Sequence, residues 1–135
     1  MRRFSASLVL PALLTAVLPF GAVQAQTPVR TPLSSPIEVT GQTGGAQSSA
    51  CGYIGNTPAQ VIQVTEPFAS LNFEVQSTGD YTLLIRGPQG FNECVLAHDF
   101  DGGVIQSPGV LNQGTYQVYI GNRSGTSHPY QLRIR

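Results

Sequence analysis

The residues able to do chemistry are few and well separated. Asp80, Asp99 and Asp101 stand in two turns, with the carbonyls of Phe100 and Gly102 close to the second. Calcium takes roughly six to eight oxygen ligands, so these three carboxylates form a candidate site only if the Asp80 turn lies beside the Asp99 turn. The alternative is that Asp99 and Asp101 are turn formers bonding their own backbone. The two histidines, His98 and His128, have no obvious catalytic setting. A Ser-His-Asp centre needs a base that touches a hydroxyl and is oriented by a carboxylate. His98 and Asp99 fall on alternate faces if a strand runs through them, and no Gly-x-Ser-x-Gly elbow occurs. No His-x-x-x-His spacing supports zinc. Glycoside hydrolysis needs two facing carboxyls, and no pair among the seven acids is singled out by spacing.

Recognition chemistry has better candidates. Tyr119 lies on the polar phase of its strand, beside Gln117 and the loop that carries Arg123. An outward ring stacks on sugar or peptide surfaces, and Arg86, Arg123 and Arg133 would add directional hydrogen bonds. These four residues are the ligand-binding candidates. An outward Tyr equally serves to cover an edge or a second layer. Phe73, Tyr81, Tyr116 and Tyr130 sit on the apolar phase and are assigned to the core. Asn122-Arg123-Ser124 is a formal glycosylation sequon, read here as accidental.

The elements that position these residues begin after an export signal. Arg2-Arg3, the apolar run Leu8 to Phe20 and the small-x-small pattern Val23-Gln24-Ala25 read as a signal peptide over residues 1–25, cleaved after Ala25. Pro11 and Pro19 interrupt the run, which is shorter than the roughly 20 residues that a membrane span requires. The exported chain would carry five Arg, no Lys and seven acids, a formal charge of −2. That balance, with no basic run, disfavours nucleic acid and anionic membranes as partners. The expected location is periplasmic or secreted. There, Cys51 and Cys94 form one structural disulfide, since the compartment oxidises thiols and only one intramolecular pairing exists.

Residues 26–50, rich in Pro, Gly and Ser, read as a linker with a possible short strand near Ile37 to Thr40, and residues 51–135 as the folded domain. Within it the hydrophobic period is two. Leu71, Phe73 and Val75 alternate with polar residues, Tyr81, Leu83 and Ile85 with Thr82, Leu84 and Arg86, Tyr116, Val118 and Ile120 with Gln117 and Tyr119, and Tyr130, Leu132 and Ile134 with Gln131, Arg133 and Arg135. Shorter candidates lie at Tyr53-Ile54, Val61 to Val64, Cys94 to Ala97 and Val104 to Gln106. About eight short strands without helical signals predict an all-β, antiparallel, jelly-roll-like β-sandwich.

The second half carries a longer pattern: LLIRGPQG (Leu83 to Gly90), the acidic turn HDFDGG (His98 to Gly103), QGTYQVYI (Gln113 to Ile120), the loop GNRSGTSHP and the closing strand YQLRI (Tyr130 to Ile134). This resembles the bacterial pre-peptidase C-terminal domain over about residues 66–134. The resemblance implies a small jelly-roll sandwich, non-catalytic, usually appended to secreted peptidases and hydrolases, with some relatives binding calcium, collagen or chitin. Two departures stand out. No peptidase is attached here, and where the family often has Asp-x-Asp before its central strand this chain has Thr78-Gly79-Asp80.

The expected protein is therefore an exported, monomeric, non-catalytic binding or accessory module for an extracellular or envelope protein or polysaccharide. It needs no cofactor, with calcium as the one candidate ion. The alternatives are a small secreted hydrolase using the acids of one loop end, and a structural envelope protein or protease inhibitor.

Overall fold

The computed structural model describes residues 27–135. The expected signal peptide over residues 1–25, with cleavage after Ala25, falls outside the described residues. Eleven strands form two sheets: β1 (Val29–Arg30), β2 (Ile37–Gln42), β3 (Gln47–Ser49), β4 (Gly52–Ile54), β5 (Gln60–Val64), β6 (Ala69–Gln76), β7 (Tyr81–Arg86), β8 (Asn92–Leu96), β9 (Val104–Leu111), β10 (Gly114–Asn122) and β11 (Pro129–Ile134). The smaller sheet runs β2-β11-β6-β9. In the larger, β10 is central: β5 and then β4 pair along one of its edges, β7 along the other, with β8 outside β7, β3 outside β4 and β1 outside β5. Every pairing is antiparallel except β1 with β5. The expected all-β sandwich is the observed architecture.

Strict alternation explains why the two sheets stack. Phe73 and Val75 of β6, Leu132 and Ile134 of β11, Leu83 and Ile85 of β7 and Val118 of β10 all turn inward and are buried in one core. Each fully buried aliphatic side chain stabilises the sandwich by about 1.5–3 kcal/mol relative to exposure.

The short strand expected near Ile37 to Thr40 is present as β2, and residues 27–50 hold more strand than their composition predicts. Besides β2 they supply β1 and β3, the two strands that no sequence signal announced. β2 pairs with β11 over its whole length, Val39 opposite Leu132, and Thr31 and Thr43 are buried. β1 and β3, of two and three residues, are too short to show a hydrophobic period. β9 extends to Leu111 through Pro108, beyond the expected Val104 to Gln106. An edge strand tolerates this because proline lacks only an outward N–H.

β7 departs from simple alternation: Tyr81, Thr82, Leu83, Leu84 and Ile85 are all buried. Its outer face is covered by a small second cluster of Cys51, Ile54, Leu84 and Tyr119, roofed by the β3–β4 hairpin. The Cys51–Cys94 disulfide is formed, and it ties the β3–β4 turn to β8 over that face. The Thr82 hydroxyl donates to the Cys51 carbonyl at 2.7 Å, so the one buried polar side chain here is satisfied.

Because the chain crosses between sheets after β1, β2, β5, β6, β8, β9 and β10, its loops collect at two ends. One end gathers the segments around Thr43, Asp80, His98 and Arg123. The other gathers the turns at 31–36, 65–68, 87–91 and 112–113.

Candidate functional site

The first of these ends is built on a buried asparagine. Asn122, at the tip of β10, is fully buried. Its Oδ1 accepts from the Ser124 N–H at 2.9 Å and from the Ser124 hydroxyl at 2.7 Å, while its Nδ2 donates to Thr43 Oγ1 at 3.4 Å. Thr43 Oγ1 also accepts from the His128 N–H at 3.0 Å, and the Thr43 N–H donates to the His128 carbonyl at 2.8 Å. Thr126 Oγ1 lies 3.1 Å from His128 Nε2. Both ends of the β10–β11 loop are thereby fixed to the β2–β3 connection. Buried polar groups satisfied in this way specify one loop conformation.

The neighbouring turns are fixed in the same manner. The Arg123 N–H donates to the Asp80 carbonyl at 2.9 Å. Gly79 has φ +78°, and a Cβ there would stand 3.1 Å from His128 Nε2, so this turn accepts only glycine without strain or displacement of the histidine. The Tyr81 hydroxyl is held between the carbonyls of Val75, at 3.0 Å, and Gly103. Burial pushes the phenol pKa of Tyr81 up, and those of Tyr116 and Tyr130 as well.

Between the turns lies an open cleft of about 350 Å³ lined by Gly79, Asp80, Ala97, His98, Phe100 and Gly103. The strand β8 ends at Leu96, and a single 3-10 turn over Ala97–Asp99 replaces the expected continuation. His98 and Asp99 therefore meet instead of facing apart: His98 Nε2 lies 3.2 Å from Asp99 Oδ1, and Nδ1 lies 3.8 Å from Asp80 Oδ1. All three side chains are roughly half exposed, so these contacts set orientation and contribute little stability.

The structure thus brings Asp80 and Asp99 to one imidazole. It does not assemble the calcium trio, because Asp101 opens a second 3-10 turn and joins no such contact. Among the described residues no group of three or more His, Cys, Asp or Glu side chains is arranged to hold a metal ion.

The four ligand-binding candidates are scattered. Arg123 is exposed at the cleft end. Tyr119 faces outward from the main core, as its phase predicts, but it is only 8% exposed, because the β3–β4 layer covers it. Its ring carries the Arg86 guanidinium 5.6 Å from its centre, which makes this pair a lid on the second cluster and not a free platform. Arg133 lies on the outer face of the smaller sheet, opposite Glu38 on one neighbouring strand and Glu74 on the other, and its Nε is buried without a hydrogen-bond partner. The Asn122 amide is spent inside the fold, so the Asn122-Arg123-Ser124 sequon is closed to modification. Sequence reasoning missed the Thr43–Asn122 link, which joins residues 79 positions apart and leaves no local signal. It also missed Phe68, on the outward phase of β6 after a Glu-Pro turn.

No known family model matches the chain. It is 37% identical over 125 residues to the uncharacterized protein Synpcc7942_2126 of Synechococcus elongatus, an alignment covering 90% of each. The chain belongs to that protein's family. Among solved structures, the pre-peptidase C-terminal domain of a collagenase from Bacillus anthracis superposes with a TM-score of 0.52 at 14% identity, over 82% of this chain and 96% of that one. This family therefore has a fold similar to the pre-peptidase C-terminal sandwich. PliG of Aeromonas hydrophila, a periplasmic inhibitor of g-type lysozyme, overlays more loosely, with a TM-score of 0.42 at 16% identity over 80% and 94% of the two chains.

Proposed function

We propose that this protein is an exported, non-catalytic binding module that holds an envelope or extracellular protein or polysaccharide through the end that carries Asp80, His98 and Arg123. The observation that carries this reading is the setting of His98. Both of its ring nitrogens face carboxylates, Asp80 and Asp99, so neither is turned to a hydroxyl nucleophile. A general base requires the reverse: one nitrogen held by an acid and the other free for the proton it takes. What the end offers instead is charged and polar side chains converging on an open cleft, on loops fixed from beneath by Asn122. Pre-fixed loops lower the ordering cost of binding. The disulfide supports the location, since such bonds persist in oxidising compartments.

The test is retention of the protein on envelope and extracellular fractions. The double variant Asp80→Asn/Arg123→Ala should be retained about tenfold less than the parent, the loss expected when a contact worth about 1.4 kcal/mol is removed. Glu38→Gln, on the outer sheet face, should be retained like the parent. Equal retention of all three would remove the site.

A further inference from the structure

The opposite end of the molecule holds an outlier of backbone and exposure together. Phe68 has φ +59° and is 73% exposed. A bulky L-residue in the left-handed region is strained, and here the ring gains almost no burial in return. The turn around it is nonetheless rigid. Pro67 fixes its own φ, the Thr65 hydroxyl donates to the Thr31 carbonyl at 2.6 Å, the Thr65 N–H donates to Thr31 Oγ1 at 3.1 Å, and Gln113 Nε2 donates to the Thr65 carbonyl at 2.7 Å. Two neighbouring loops thus brace the turn that presents an aromatic ring to solvent. On the adjacent edge strand Val110, opposite Ser70, is 62% exposed and extends the apolar surface.

The composition of this end matches one kind of partner. Its four loops, 31–36, 65–68, 87–91 and 112–113, hold a single charged residue, Glu66, among prolines, glycines and small polar residues. Protein interface cores are depleted in charge and enriched in aromatic anchors that fill a pocket on the other side. The basic residues at the strand ends beside these loops, Arg30 and Arg86, are arginines, the cation that is enriched along with aromatics in protein interfaces while Lys is depleted.

We propose that Phe68 anchors a second binding surface, separate from the polar end, whose partner is a protein presenting an apolar pocket. The strained, braced turn holds the ring in its bound position before the partner arrives, so little freedom is lost on binding.

The experiment places the photoreactive residue p-benzoylphenylalanine at position 68, and in separate variants at positions 38 and 123, in cells that make the protein. Irradiation should give a discrete protein adduct from position 68 that is absent at position 38 and differs from any adduct formed at position 123. That protein, identified by mass spectrometry and purified, should bind the parent directly and bind Phe68→Ala about tenfold more weakly or worse. Phe68→Gly should also lose binding while its melting temperature stays level or rises, since glycine adopts this φ freely. The proposal is overturned by no protein adduct, by adducts to lipid or glycan alone, by the same adduct from position 38, or by equal affinity of Phe68→Ala. It is also overturned if Phe68→Gly melts more than about 4 °C lower, a shift that would make the ring structural. Failure here leaves retention through Asp80 and Arg123 untouched, so the two readings stand or fall separately.

Discussion

The two ends of the sandwich share their strands but solve different problems. At the polar end the loops are held from beneath, by a buried amide and a threonine hydroxyl, and their ionisable side chains are left half exposed around a cleft. At the neutral end the loops brace one another from the side, through Thr31, Thr65 and Gln113, and present a strained aromatic. The difference teaches that one small domain can fix charged loops and an apolar tip by separate hydrogen-bond networks. Damage to one end should then spare the other.

The largest expected effect comes from the bridge between the β3–β4 turn and β8. Its 43-residue separation makes loss of the crosslink in Cys51→Ala/Cys94→Ala worth about 4 kcal/mol on the chain-entropy account, read as a fall in unfolding free energy in urea. The damage should be uneven. The β4 strand leans on the polar end, where Tyr53 pairs with Asn122, so amide exchange should quicken first at residues 43–46 and 122–128. Uniform quickening at both ends would break the comparison.

A smaller effect separates the two networks directly. Asn122→Ala removes a fully buried partner from Ser124 and Thr43, and should cost about 2 kcal/mol because Thr43, left behind, is itself shielded from water. Thr31→Val removes the acceptor of the Thr65 N–H in a part-buried bond whose donor residue is itself exposed, and should cost about 1 kcal/mol. The measurement is the unfolding midpoint of each variant and of the pair. Distant independent networks should give additive losses within about 0.5 kcal/mol. A marked excess would mean that the ends are coupled.

How much of this the sequence carries depends on the range of the cause. The period-two strands, the disulfide and the sandwich were legible because each rests on local alternation or on the only possible pairing. The fate of Tyr119 was not. Its outward phase is correctly read, but the layer that buries it is the β3–β4 hairpin, whose first strand lies within residues 26–50, a stretch whose composition is that of a linker. The meeting of His98 with both Asp80 and Asp99 was hidden for another reason. It depends on β8 ending at Leu96, and a boundary error of two residues reverses which side chains share a face. Arg133 lies where its strand phase puts it, yet the flanking acids, Glu38 and Glu74, come from strands that only the fold brings together.

The smallest expected effect sharpens what the polar end is for. Three acids within it invite a calcium assignment, and calcium bound at a hundred times its dissociation constant would stabilise the fold by about 2.7 kcal/mol. The geometry argues otherwise. Asp80 and Asp99 are both turned to the His98 imidazole and Asp101 stands apart, so a cation would find two partly committed carboxylates in place of the roughly six to eight oxygens it takes. Melting curves in millimolar calcium and in chelator should therefore coincide within about 1 °C, with Asp101→Ala changing neither. A calcium-dependent rise of several degrees, abolished by Asp101→Ala, would show that the two turns close on an ion. The polar end would then be a metal-organised surface, and the contrast with the metal-free neutral end would rest on that ion and not on Asn122.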